Sequence, residues 1–136
     1  MEILELRGET VSQALGQLKE AFDILEKNKH SYMYKTARDS LIQRFEFSFD
    51  AFWKYLKEYL RDDRKIEVEF ASPNKTFRTC YEQKVITNEE RKILIDSTRD
   101  RNLTSHTYNE KLAEQISKRI VEYYEVMRTI IDRLGV

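Results

Sequence analysis

Apolar residues along this chain recur at intervals of three and four, the spacing of one face of an α-helix. Val11, Leu15, Leu18, Phe22 and Leu25 form the first stripe, predicting a helix from Thr10, a favourable N-cap, to near Asn28. A longer stripe of Leu41, Phe45, Phe49, Phe52, Trp53 and Leu56 predicts a second helix over roughly Tyr34 to Leu60. Phe47 falls off that stripe, so either this helix is contacted on two sides or Phe47 faces a partner. Ile66, Val68 and Phe70 then alternate with charged residues. One short extended segment has no strand to pair with, so 62–71 reads as a loop that pins apolar residues onto the rest.

Ser72-Pro73 opens a third helix, a hydroxyl cap followed by proline at the first helical position, with Phe77, Cys80 and Tyr81 inward. Thr87 with Glu90 has capping-box spacing and starts a fourth helix through about Thr98, with Ile93 and Leu94 inward. Asn109 caps the fifth, in which Leu112, Ile116, Ile120, Tyr123, Met127, Ile130 and Leu134 form a continuous stripe. The pattern predicts an all-α fold, a single domain over 1–136. Three long helices form an antiparallel bundle and two short ones pack against an end.

Composition agrees. Three glycines and one proline in 136 residues are too few for the turns of a sandwich or barrel. The 24 basic and 24 acidic residues cancel, so any contact with RNA must be local. Cys80 is the only cysteine, which excludes an internal disulfide and a cysteine-based zinc site. No paired-histidine spacing or glycine-rich phosphate loop is present, so no metal is expected. The first residues read Met-Glu-Ile-Leu-Glu-Leu-Arg, without a leader pattern, and no apolar run reaches membrane-spanning length; a cytoplasmic location is expected.

The chemistry concentrates in Arg101-Asn102-Leu103-Thr104-Ser105-His106-Thr107-Tyr108. Arginine is a permanent, fork-shaped phosphate binder and histidine passes protons near neutral pH. His106 could take a proton from a ribose 2′-hydroxyl or give one to a leaving oxygen, while Arg101 offsets transition-state charge. Asn102 could orient the histidine or bind a phosphate oxygen, and Ser105 could add a contact to phosphate or nucleotide. Five residues apart on an unbroken helix, Arg101 and His106 would lie about 140° apart, so the motif should straddle a helix start. One histidine cannot readily be acid and base at once; two copies in a symmetric dimer would complete the site. On composition alone a structural or interface role for His106 ranks ahead of catalysis, and Tyr108 could be a hydrophobic staple on the last helix. His30 reads as a surface residue.

Three blocks carry a family resemblance across nearly the whole chain: Arg38-Asp39 with Gln43-Arg44-Phe45-Glu46-Phe47 and Trp53-Lys54; Ser72-Pro73 with Phe77-Arg78; and Asp100 through Tyr108. In these it resembles the HEPN superfamily, more closely the nucleotidyltransferase substrate-binding proteins related to the HepT toxins. The resemblance implies a helical homodimer paired with a cognate minimal nucleotidyltransferase encoded beside it, which would use ATP and Mg; the chain itself needs no cofactor. It implies metal-independent RNA cleavage by Arg101 and His106, silenced by AMP transfer to Tyr108. Apart from the resemblance, off-stripe Phe47 and Arg44 near it are expected at a partner or dimer interface. The alternative is a binding subunit that presents nucleotide or substrate and cleaves nothing. The chain departs from the family pattern at Asp50, Phe52 and Lys84, none of them expected to touch the motif.

Overall fold

The computed structural model describes residues 2–136. Its helices are α1 (Ile3–Lys27), α2 (Tyr34–Asp63), α3 (Pro73–Glu82), α4 (Asn88–Leu103) and α5 (Glu110–Arg133), with a 3-10 turn at Thr104–His106; there is no strand among the described residues. The caps form as their residue types predict. Ser72 accepts from the Lys75 amide and Asn109 from the Leu112 amide, and Thr87 and Glu90 exchange both bonds of a capping box.

α1 starts well before Thr10, which lies inside the helix and donates its hydroxyl to the Leu6 carbonyl at 3.0 Å. Gly8 hides the continuation. It occupies the stripe position between Leu4 and Val11, buried against Tyr55 and Val136, and offers no side chain for the periodicity to register. α4 also outruns its expected end at Thr98, reaching Leu103. In the loop after α2, Ile66 and Val68 are half-buried as expected, but Phe70 stands 82% exposed with a φ of 50°. Tyr81 is not inward either; the Arg91 guanidinium stacks over its ring at 4.9 Å.

Directions follow from the contacts. Ser48 donates to the Ala14 carbonyl (3.1 Å) and Arg44 to that of Gln17 (2.8 Å), so α1 and α2 are antiparallel. Phe22 meets Tyr124 while Gly8 lies by Val136, so α1 is antiparallel to α5 as well. α2 and α5 run the same way, with Arg38 bonded to Glu110 at 2.8 Å and the Phe45 and Tyr123 rings 5.6 Å apart. The parallel pair is possible because α3 and α4 carry the chain back to where α2 began. The starts of α2 and α5, the α1–α2 turn and the α4–α5 connection therefore share one end of the bundle.

The core holds Phe45, Phe49, Phe52 and Phe77, all essentially without solvent contact, and each contributes about 1.5–3 kcal/mol of hydrophobic stabilisation. Cys80 is buried among them, and burial pushes its thiol up to about 12, which removes it as a nucleophile.

Candidate functional site

Asp100 decides where the motif sits. Its carboxylate is fully buried, gripped by Arg119 through Nε (2.7 Å) and Nη2 (2.9 Å), and it accepts a bond from the Tyr123 hydroxyl. Burial alone would raise its pKa; the bonds from Arg119 and Tyr123 outweigh that and hold it below the ordinary carboxylate value. This lock fastens the last turns of α4 to α5. The next residue, Arg101, lies about 100° further round the helix and is thereby aimed at α2.

On α2 Arg101 meets two carboxylates. Asp50 takes Nε at 3.2 Å and Nη2 at 3.0 Å, a bidentate pair, and Glu46 takes Nη1 at 2.9 Å. Thr104, itself buried, lies 2.8 Å from Glu46 and 3.2 Å from Arg101, closing the network. The bonds to Asp50 raise the guanidinium pKa, so Arg101 stays charged. With two carboxylates against one cation, the cluster carries a formal charge of −1.

Two sequence expectations are corrected here. Asp50 does touch the motif, and the motif straddles a helix end rather than a helix start: Arg101 is within α4, His106 in the 3-10 turn, and Tyr108 just before the Asn109 cap. Glu46 and Asp50 were visible as two carboxylates four apart on one face of α2, beside the aromatic stripe, but only the fold shows which cation they meet.

His106 and Tyr108 project together from the connection. Both are exposed, their rings 6.2 Å apart and edge to face. Tyr108 is 82% exposed, so it is not a staple: the position it would pack against, Ala113, offers only a methyl group. Ser105 lies exposed on the same connection and Asn102 exposed in the last turn of α4, and the Ser105 hydroxyl donates to the Asn102 carbonyl at 3.3 Å. Thr107 donates to the Thr104 carbonyl (2.9 Å) and Asn109 to that of His106 (3.1 Å), so the connection is a hydrogen-bonded turn.

Beneath it, Arg38 is 2% exposed and bonded to Glu110 (2.8 Å), Glu114 (3.1 Å) and Asp39 (3.2 Å), and Tyr34 donates to Glu114 at 2.9 Å. This buried hub, unrecognised as such in the sequence, pins the start of α5 two residues after Tyr108. Phe47 lies 62% exposed on the outer face of α2, next to the carboxylates that hold Arg101. Arg44, by contrast, is turned onto α1, bonded to the Gln17 carbonyl and 3.9 Å from Glu20. His30 is exposed in the α1–α2 turn.

Among the described residues no cluster of three or more His, Cys, Asp or Glu is placed to hold a metal, and no helix is long and apolar enough to cross a membrane. A cleft lies at the opposite end, between the start of α1, Tyr55 and Leu134–Val136. It contains no motif residue, and its rim of Glu2, Glu5, Glu9 and Asp62 repels phosphate.

Known proteins share this sequence pattern and this fold. The family profile "Nucleotidyltransferase substrate binding protein like" matches residues 6–136. A crystal structure of a protein from Thermus thermophilus is 38% identical, with a TM-score of 0.81 over 93% of this chain and 99% of that one. The fold is shared with the tri-AMPylated Shewanella oneidensis HEPN toxin in complex with MNT antitoxin (17% identity, TM-score 0.73, 97% and 96% of the two chains). It is shared too with a Haemophilus influenzae protein having the fold of a substrate binding domain of a nucleotidyltransferase (18%, 0.69, 98% and 98%). A search of curated proteins found no significant match.

Proposed function

The chain belongs to the nucleotidyltransferase substrate binding protein-like family, and from that premise we propose that it is the toxin-type partner of a minimal nucleotidyltransferase, with Tyr108 as the acceptor of AMP. The exposure of Tyr108 carries this reading. A large aromatic side chain at the mouth of a tight, hydrogen-bonded turn, 82% in solvent, contributes little to the fold and is free to enter another protein's active site.

In the transfer the phenolic oxygen attacks the α-phosphorus of ATP. An O–P bond forms, pyrophosphate leaves, and the phenolic proton passes to a base of the transferase, which supplies the Mg. The product places a phosphodiester anion and a nucleoside beside His106, because the two rings already touch edge to face. In the unmodified chain His106 is the proton-transfer group for RNA. It takes the ribose 2′-hydroxyl proton as the oxygen attacks phosphorus, and the His106 of a second copy protonates the departing 5′-oxygen. Arg101 lies one helical turn before the His106 turn and steadies the phosphate once its grip on Asp50 is exchanged for a phosphate oxygen.

The alternative, a subunit that binds nucleotide or substrate and cleaves nothing, is favoured by that same grip: Arg101 is already paired with two carboxylates and the cluster is net negative. One experiment separates the two. The chain is expressed with its transferase and ATP, and intact masses are read for the parent and for Tyr108→Phe. AMP-sized additions present in the parent and lost in the variant support the acceptor role; equal masses sink it. In parallel, His106→Ala keeps the fold and relieves growth arrest if RNA is cut. Arrest undiminished in the variant overturns His106 as the RNA-cleaving residue.

A further inference from the structure

Transfer of AMP requires the Tyr108 oxygen to sit against phosphorus inside the transferase, so the transferase must cover the end of the bundle that Tyr108 occupies. That end is broader than the motif. α2 and α5 begin side by side, joined by Arg38 to Glu110 (2.8 Å), Lys35 to Glu110 (3.7 Å) and Tyr34 to Glu114 (2.9 Å). Tyr108 lies two residues before Glu110, and Tyr32 three residues before Lys35. Both tyrosines therefore lie exposed two residues before the same paired helix starts.

Tyr32 is 95% exposed and its neighbour Met33 is 39% exposed. No part of the core uses Tyr32. Its turn is nonetheless fastened: Asn28 donates its side-chain amide to the Ile24 carbonyl (2.8 Å), the Ser31 amide donates to the Asn28 carbonyl (3.0 Å), and the Ser31 hydroxyl accepts from the Met33 amide (3.0 Å). A tyrosine held out on a rigid turn buries much area on binding with few torsions to freeze, the profile of an interface anchor. Lys29 and His30 flank it, and these suit an acidic surface. Phe47 is separate, roughly 20 Å along α2 from Met33 at 1.5 Å per residue and on its side.

We propose that the α1–α2 turn is a docking point for the nucleotidyltransferase, anchored by Tyr32 and Met33. The transferase seats end-on across this turn and the Tyr108 connection, and the flank of α2 stays free. The proposal rests on the reading above, in which Tyr108 enters the transferase; the Kd measurement below tests the docking point whether or not AMP is then transferred.

Calorimetric titration of the chain with its transferase, without ATP, tests it. Tyr32→Ala is expected to raise Kd at least about tenfold, the effect of losing an interface anchor. Phe70→Ala, a similarly exposed aromatic at the opposite end, is expected to leave Kd unchanged. Circular dichroism confirms that both variants fold. The proposal is overturned if Tyr32→Ala binds like the parent, if Phe70→Ala weakens binding equally, or if the parent does not bind. With ATP and saturating transferase, Tyr32→Ala should still gain AMP on Tyr108. Transfer lost with Kd unchanged would put Tyr32 in the chemistry and end the docking role. A parent that binds yet receives no AMP refutes the acceptor reading and leaves the docking point standing.

Discussion

Arg101 shows how far a residue type is from a role until its neighbours are known. Arginine beside histidine suggests phosphate chemistry, but here most of the guanidinium donors are met by Asp50, Glu46 and Thr104. Its electrostatic reach is cancelled before any phosphate arrives. Replacing Asp50, which supplies the bidentate half of the grip, should release that charge. With Asp50→Asn the cluster goes from −1 to neutral, and Arg101 becomes available to neutralise one phosphate. Binding of a single-stranded RNA probe, followed by fluorescence anisotropy, should tighten. The slope of log K against log salt should steepen by about 0.7, the value for one further phosphate on a single strand. A slope equal to the parent's would mean that Asp50 does not restrain Arg101.

At the scale of helices and turns, the C-terminus of α3 is informative. The Val85 amide bonds to the Cys80 carbonyl (2.8 Å) and the Lys84 amide to that of Tyr81 (3.0 Å), a Schellman ending sealed by the buried pair Cys80 and Val85. The residue between them must be left-handed, and Lys84 is, with a φ of 62°. Relief of that strain by Lys84→Gly, less the larger unfolded-state entropy of glycine, should gain about 1 kcal/mol and raise Tm by roughly 3 °C. A lower Tm in thermal unfolding would show that the lysine stem supplies packing worth more than the strain. That the chain departs from its family's pattern at Lys84 was legible in the sequence; the conformation of that residue was not. The same division runs through the fold. Caps and apolar stripes are local, so the starts of α2, α3 and α5 were readable to the residue. The start of α1 was lost because Gly8 interrupts its stripe. The end of α4 was lost because its last turns are held by Arg119, Tyr123, Glu46 and Asp50, all distant in sequence. His106 and Tyr108 stood out by type alone, whereas the partners of Arg101 depended on which helices the bundle sets side by side.

Among the exposed apolar side chains of the described residues, Tyr32 with Met33 at the end of the bundle and Phe47 on the flank of α2 face different directions. Phe47 adjoins Glu46 and Asp50, so a second copy seated there would bring a second motif close to the first, supplying the histidine that one chain lacks. Self-association would also cover the net negative cluster and change what Arg101 can reach. Phe47→Glu tests this at little risk to the fold, since the side chain is mostly solvated and is not part of the buried core. A third carboxylate on that face would have to be desolvated against its own copy, at a cost of several kcal/mol, enough to separate a dimer of ordinary affinity. Sedimentation should show the parent at twice the mass of the variant. RNA cleavage should be lost, while AMP transfer to Tyr108 persists because it uses the other surface. If the variant sediments as a single chain and still cuts RNA, one histidine suffices and the two-chain site is wrong. If it remains dimeric, the copies meet elsewhere and Phe47 faces another partner.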